Sequence, residues 1–249
     1  MESAINTLKL SKRVYLGGVI KLETGLRIGG SDTKIEIGGV DNILIKDHLT
    51  GFPYIPGSSL KGKLRTLLEY DLGYVSDSGK PYSDKDKKNP IVRLFGGNSS
   101  DIADLQYGPT RLIFRDSMLS SRFEHYLPMD LIEVKTENVV NRQTGTAEHP
   151  RQLERVPAGV EFDFEIVCKC FAGFDDGGLS DEMMFRTYVP RALDLLEMDC
   201  LGGSGSRGYG KVSFHSLRIA VDGNIRWGGE SSNRVKELTT FATNGGDWK

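Results

Sequence analysis

The sequence has few of the residues that build disulfide frameworks or zinc sites. Its 249 residues include three cysteines and four histidines. Cys168 and Cys170 are two positions apart in a run of alternating hydrophobicity, so they share one face of a predicted strand, where core packing is expected rather than a disulfide. The histidines show no ligand spacing with the cysteines. We therefore predict free thiols in a reducing compartment and no zinc site.

Long hydrophobic runs are also missing. No stretch approaches the roughly 20 apolar residues of a transmembrane helix, and residues 1–4 lack the charged and then apolar pattern of a secretion signal. Neither sign of charge is in large excess, since 32 lysines and arginines face 34 aspartates and glutamates. Any affinity for nucleic acid must therefore come from local basic patches. The prediction is a soluble, cytoplasmic protein without a membrane partner.

Glycine is abundant, with 30 residues, which indicates many turns or close backbone approaches to a ligand. Two glycine patterns, Gly57-x4-Gly62-Lys63 and Gly205-x4-Gly210-Lys211, resemble nucleotide loops. Leu64 and Val212 replace the hydroxyl residue that binds magnesium in such loops, so an NTPase is not supported. A third pattern, Gly203-x-Gly205-x-x-Gly208, precedes a predicted strand rather than the helix that a dinucleotide site requires.

Hydrophobic periodicity predicts an α+β fold. One helix begins at Ser58 and Ser59 as caps and stops at Gly73, and a second is kinked or divided at Pro190. The element order strand, helix, strand, strand, helix, strand, with large insertions, is that of the ferredoxin-like (RRM-type) folds that include RNA-recognition domains. The predicted strands cover about 14–22, 111–119, 131–140, 160–170 and 212–220, and the second helix covers about 180–198.

Two basic, glycine-containing segments are candidates for binding an RNA backbone. At the start of the first helix, Ser58 and Ser59 with Lys61 and Lys63 would form an anion site. The glycines around Arg207 would let a nucleic acid approach closely while Arg207 and Lys211 supply charge. For either segment alone, ordinary capping and turn chemistry is an alternative explanation.

Two further features have a structural and a functional interpretation. The polar excursion from Asn138 to Pro157 is either a solvated loop or a hairpin that wedges between the bases of a bound strand. Asp32, in a glycine-rich stretch with Glu36 and Asp41 behind it, is either a turn former or a carboxylate that holds a divalent ion or orients a ribose hydroxyl. The local sequence does not decide between these alternatives.

Taken together, five motifs in this order resemble the RAMP superfamily of CRISPR proteins, and within it the backbone subunit of the type III-A (Csm) effector complex. The last motif in this order is the specific one. The motifs are Tyr54–Arg65, Leu94–Gly97, Arg115–Ser117, Glu137-Asn138 through Arg155-Val156-Pro157, and Leu201–Gly210.

The resemblance implies one RAMP domain over residues 1–249. It implies a ferredoxin-like palm, lid insertions and a projecting thumb β-hairpin. The palm would comprise elements within 13–72, 111–130 and 160–220, the lid 23–56 and 74–110, the thumb 131–160, and a C-terminal tail 221–249.

The resemblance also implies a function. Copies of the chain would form a filament on a CRISPR guide RNA with other Csm subunits, and each would cleave complementary target RNA beside its thumb with a divalent metal ion, Mg²⁺ or Mn²⁺. Asp32 fits the position of the catalytic aspartate and is a tentative metal ligand. A binding-only filament subunit and the equivalent type III-B subunit are the alternatives. The predicted RNA-binding residues are Ser58, Ser59, Lys61, Lys63, Arg65, Arg142, Arg151, Arg155, Gly203, Ser204, Gly205, Ser206, Arg207, Tyr209 and Lys211.

Overall fold

A computed structural model describes residues 8–29, 43–75, 77–84, 86, 88–97, 108–172, 180–222 and 239–240. Asp32, Glu36 and Asp41, and most of the predicted tail, lie outside the described residues. The strands are β1 (Lys9–Leu22), β2 (Leu112–Phe114), β3 (Met118–Leu119), β4 (Glu133–Val140), β5 (Ala147–Arg155), β6 (Glu161–Ala172), β7 (Val212–Val221) and β8 (Thr239–Thr240). The α-helices are α1 (Gly57–Asp71), α2 (Pro90–Phe95) and α3 (Asp181–Met198).

The main sheet is antiparallel and has the strand order β2-β6-β1-β7-β8, with β3 also pairing with β6. The alternation predicted for 160–170 is confirmed, because the even-numbered side chains from Val160 to Cys170 are all buried in the main core. Both cysteines of this strand are free and buried. Helices α1 and α3 contact each other, and α3 contacts β6 and β7, so the helices and the apolar face of the sheet enclose one core.

Helix α1 buries Leu60, Leu64 and Leu68, which recur at helical spacing. Gly73, the predicted stop, adopts a left-handed φ of 73° just beyond its end. The predicted caps are wrong: Pro56 is the N-cap, and no side-chain hydrogen bond caps this end. Ser58 therefore lies inside the first turn.

Helix α3 starts where the sequence predicts. The Ser180 hydroxyl accepts a hydrogen bond from the Met183 N–H at 3.1 Å, which caps the helix. The helix then runs through Pro190 to Met198 without interruption, so the predicted division at Pro190 does not occur. Pro190 is buried, and packing of this face against the core compensates for the backbone donor that a proline lacks.

The strand predicted over 111–119 is in fact two short strands, β2 and β3. Ser117, between them, pairs with Ile55 instead, with backbone hydrogen bonds of 3.0 and 2.8 Å. This pairing joins the start of α1 to the sheet and interrupts the single strand.

Strands β4 and β5 form a separate two-stranded antiparallel hairpin, in which Glu137 faces Arg151. Its connection contains Gly145 with a φ of 70°, and most of its side chains are exposed or half-buried. The polar excursion is therefore a hairpin, and its wedging between the bases of a bound strand stays a prediction. Among the described residues, no helix is both long and apolar enough to cross a membrane.

Candidate nucleic-acid interface

Three segments that are distant in sequence meet where β1 ends. Leu26 and Val156, which follows β5, exchange backbone hydrogen bonds of 2.9 and 2.8 Å. The next carbonyl, that of Arg27, accepts a hydrogen bond from the Gly203 N–H at 2.9 Å. The segment after β1 is therefore held between the base of the hairpin and the glycine-rich loop, residues 201–211. We call this junction the hairpin foot.

Both flanks of segment 30–42 also lie at the hairpin foot. Gly29, before this segment, forms an isolated β-bridge with Leu44, after it. The Leu44 N–H donates to the Glu154 carboxylate of β5 at 3.0 Å, and Lys46 forms an ion pair with the same carboxylate at 3.1 Å. The chain therefore leaves for Asp32 and returns beside the hairpin, while Asp32 itself is outside the described residues.

Glu137 of β4 joins the hairpin to the glycine-rich loop. Its carboxylate accepts hydrogen bonds from the Tyr209 hydroxyl at 2.8 Å and from Arg207 Nη1 at 2.9 Å. Lys135 Nζ lies 3.7 Å from the same carboxylate. The Tyr209 hydrogen bond, together with the charges of Arg207 and Lys135, lowers the pKa of Glu137 below its ordinary value. Glu137 is therefore an ionised tie between two elements.

Tyr209, which the sequence predicts to contact RNA, is enclosed by contacts within the protein. Its side chain is 1% exposed, and Lys135 Nζ and Arg155 Cζ lie 4.4 and 5.0 Å from its ring centroid. Burial and the hydrogen bond to Glu137 raise the pKa of Tyr209, so the hydroxyl stays protonated as a donor. Cation–π contacts and this hydrogen bond make Tyr209 a structural residue of the hairpin foot.

Packing explains several glycines of the loop. A Cβ on Gly210 would lie 1.9 Å from the Leu201 carbonyl oxygen, and one on Gly205 would lie 2.0 Å from Cys200 Sγ. These two glycines therefore serve close contacts within the protein. Among the predicted RNA-binding residues of the loop, Gly203, Ser206, Arg207 and Lys211 are exposed, whereas Ser204 and Gly205 are half-buried.

The three hairpin arginines differ in availability. Arg155 is not free for RNA in this structure, because it pairs with Glu133 at 2.5 Å and packs over Tyr209. Arg142 is exposed and hydrogen-bonds the Val140 carbonyl of its own turn at 3.3 Å. Arg151 is exposed beside Arg207. Arg151 and Arg207 line a cleft of about 280 Å³ together with Glu137, Asn138 and Val139.

The start of α1 has fewer free hydrogen-bond donors for an anion than the sequence predicts. The Gly57 N–H donates to the Asp116 carboxylate at 2.8 Å, so one backbone donor of the expected anion site already has an acidic partner. Ser58 is exposed and Ser59 half-buried. Lys61 has no hydrogen bond or ion pair with another described residue, and burial, followed by the charge of Arg65, lowers its pKa.

The two other basic residues of α1 have internal partners. Lys63 pairs with Asp199 beyond the end of α3 at 3.1 Å. Arg65 pairs with Glu69 at 2.7 Å and donates to the Tyr82 carbonyl at 2.5 Å. These contacts connect α1 to the neighbouring chain segments. Of the basic side chains of this helix that the sequence predicted to bind RNA, Lys61 is the one without such a contact in the described structure.

The described residues contain no group of three or more His, Cys, Asp or Glu side chains that could hold a metal ion. The predicted Mg²⁺ or Mn²⁺ therefore depends on Asp32 and its segment, which lie outside those residues.

The fold and this surface define a class of protein: an α+β domain in which a basic hairpin and a glycine-rich loop meet at the end of β1. The model of the RAMP superfamily matches residues 19–213. The endoribonuclease Csm3 of the CRISPR system of Streptococcus thermophilus is 41% identical over 84% of this chain and 90% of its own length. The corresponding protein of Mycobacterium tuberculosis is 39% identical over 86% of this chain and 93% of its own length.

Two solved structures are similar to this chain in fold. A chain of the Csm3–Csm4 subcomplex of the type III-A CRISPR–Cas interference complex is 30% identical, with a TM-score of 0.54 over 86% of this chain and 82% of that chain. A chain of the type III-B Cmr-β complex bound to cognate target RNA, at 18% identity and a TM-score of 0.58, shares the fold over 84% of this chain and 61% of that chain. The chain belongs to the RAMP superfamily and, within it, to the Csm3 family.

Proposed function

We propose that this chain is the guide-RNA-binding backbone subunit of a type III-A CRISPR interference complex and that it cleaves complementary target RNA at regular intervals. One observation carries the proposal: the hairpin, the glycine-rich loop and both flanks of the segment with Asp32 meet at the hairpin foot. Relatives of about the same length that are named Csm3 endoribonucleases support it.

In this proposal the main sheet with α1 and α3 is a ferredoxin-like palm. The order β1-α1-β2-β6-α3-β7 and the spatial order β2-β6-β1-β7 support that assignment. Residues 131–160 are the thumb, and 23–56 and 74–110 are lid insertions. The tie from Glu137 to the glycine-rich loop holds the thumb at a fixed place along a bound RNA strand.

The RNA backbone follows the exposed side chains of this edge. Arg151 and Arg207 share the cleft beside Glu137, and Lys61 has no other partner in the described structure. Basic side chains without an internal partner among the described residues, such as Arg151 and Lys61, are the ones that a phosphate can recruit without breaking a protein contact. Arg207 would share its guanidinium between Glu137 and a phosphate. Lys63, Arg65, Arg155 and Tyr209 support this edge indirectly.

The proposed reaction is attack of a ribose 2′-oxygen on the adjacent phosphorus. A 2′-O–P bond forms and the P–O5′ bond breaks, while the proton that leaves the 2′-oxygen is balanced by one gained at the 5′-oxygen. Products would carry a 2′,3′-cyclic phosphate and a 5′-hydroxyl. Asp32 would orient the 2′-hydroxyl or help to hold a divalent ion, which would supply positive charge beside the phosphate.

The partners follow from the same proposal. We expect CRISPR guide RNA, complementary target RNA, other Csm subunits and further copies of this chain in a filament. The similarity to a chain of the Csm3–Csm4 subcomplex supports assembly with other subunits. Self-association into a filament and a cytoplasmic location stay predictions.

Replacement of Asp32 by Ala in a reconstituted complex tests the catalytic part. We expect guide and target binding to be intact and target cleavage to be lost at every regular position, because the carboxylate at the scissile site is removed. Product lengths and end groups on denaturing gels give the measurement. Asp41→Ala, in the same segment, is the matched control and should still cleave.

Continued cleavage at every position by the Asp32→Ala complex would exclude Asp32 as the catalytic residue. A wild-type complex that binds target RNA and leaves it intact in Mg²⁺ and in Mn²⁺ would instead favour a binding-only subunit.

A further inference from the structure

Arg27 is a basic residue outside the predicted RNA-binding set, and its side chain has no partner among the described residues. Its Nε atom is buried and has no hydrogen-bond partner in the described structure. Its guanidinium also makes no ion pair or aromatic contact with another described residue. A guanidinium has five N–H donors, and buried polar groups in proteins nearly always have partners. No described group therefore supplies an acceptor for the Arg27 Nε–H.

The backbone at Arg27 is fixed from both sides. Leu26 is paired with Val156 beyond the hairpin, and the Arg27 carbonyl accepts the hydrogen bond from Gly203. Gly202, with a φ of 77°, brings the glycine-rich loop so close that a Cβ there would lie 2.3 Å from the Arg27 oxygen. Because the backbone is already fixed, binding of a ligand by the Arg27 side chain would require little further ordering of the chain.

The charges around Arg27 do not supply the missing acceptor. Its charge, with that of Arg155, opposes the burial and hydrogen bonding that raise the pKa of Tyr209, so the guanidinium acts electrostatically on the Tyr209 hydroxyl. The Glu137 carboxylate is already occupied by Tyr209 and Arg207, and Glu133 by Arg155. At the hairpin foot, five basic side chains thus accompany three carboxylates: Arg27, Lys46, Lys135, Arg155 and Arg207 against Glu133, Glu137 and Glu154.

We propose that Arg27 binds a phosphodiester group of the RNA strand. The planar guanidinium fork matches two phosphate oxygens, and an anion there would satisfy the buried Nε and offset the local excess of positive charge. Arg27 lies against the glycine-rich loop through its carbonyl and precedes segment 30–42 in the chain. This inference rests on the proposed function and adds a residue to it.

The test is single-stranded RNA binding by the full chain, measured by fluorescence anisotropy over a salt series. Arg27→Gln should weaken binding about 10- to 100-fold and reduce the slope of log affinity against log salt by about 0.7, the value for one lost phosphate contact. Arg27→Lys keeps the charge and should restore the slope but only part of the affinity. Arg186→Gln is the control, because Arg186 pairs with Glu182 near the start of α3, which Lys12 of β1 also contacts, at the opposite end of the sheet.

Thermal unfolding separates this role from a structural one. Removal of a guanidinium that lacks a partner should leave the melting temperature of the free protein unchanged or raise it. A lowered melting temperature with an unchanged salt slope, or failure of both variants to fold, would overturn the assignment. Wild-type protein that does not bind RNA at low salt would instead contradict the proposed function. Equal RNA affinities of wild type and Arg27→Gln would overturn only the role of Arg27.

Discussion

At the scale of single residues, the hairpin foot depends on side chains whose importance only the fold reveals. Glu137 belongs to one of the motifs of the family, but its role as a shared partner of Tyr209 and Arg207 needs residues about 70 positions apart in sequence to meet. Arg27 has no local signal, since a single arginine near glycines is common on surfaces. The sequence predicts RNA contacts for Tyr209 and Arg155, whereas the structure gives both side chains contacts within the hairpin foot.

The ionised state of Glu137 gives a pH-dependent stability. Because the folded protein lowers its pKa, the tie stabilises the fold above the unfolded value of about 4.3 and is lost as the pH falls through the lower folded pKa. Glu137→Gln should therefore unfold at lower urea than wild type at pH 7, and the difference should shrink in acid. Glu124→Gln, the same change at an exposed glutamate, should show no such trend. A difference that is constant from pH 7 to acid would contradict the ionised tie.

At the scale of elements, hydrophobic periodicity predicts the helices and strands with a regular buried face. It does not predict features that depend on contacts between distant segments. The alternation in β6, the leucines of α1 and the start of α3 near Ser180 can be recognised in the sequence because each depends on a few neighbouring residues. The break between β2 and β3 is not, because it depends on Ile55 pairing with Ser117 across 62 residues. The caps predicted at Ser58 and Ser59 are wrong for a related reason, since Asp116 supplies the partner of Gly57 from another element.

Two glycines of α1 should respond oppositely to the same substitution. A Cβ on Gly57 would lie 2.4 Å from the Phe114 carbonyl oxygen, whereas nothing lies within 4 Å of one on Gly62. Gly57→Ala must push α1 away from β2 and should cost about 1–3 kcal/mol of unfolding free energy. Gly62→Ala, inside the helix, should add about 0.5–1 kcal/mol. Urea unfolding measures both, and destabilisation by both substitutions would show that the close approach at Gly57 is not the cause.

At the scale of the whole molecule, a net charge of −2 is compatible with RNA binding because the basic groups that matter are placed locally. The sheet and helices supply a scaffold, and the hairpin, the glycine-rich loop and the start of α1 are attached around it through long-range contacts. Ion pairs such as Arg186–Glu182 and Arg191–Asp71 lie elsewhere on the helices. The affinity for RNA should therefore depend on where the basic side chains lie rather than on the net charge of the protein.

Two double variants, each lacking two positive charges, test whether RNA binds at the hairpin foot. Their RNA affinities are compared in the same salt titration. Arg151→Gln with Arg207→Gln removes the two arginines of the cleft beside Glu137, and Arg186→Gln with Arg191→Gln removes two paired arginines of α3. We expect the first variant to lose most of its RNA affinity and about 1.4 units of the salt slope, about 0.7 for each lost contact, while the second binds like wild type. Equal affinities for the two variants would contradict an RNA site at the hairpin foot.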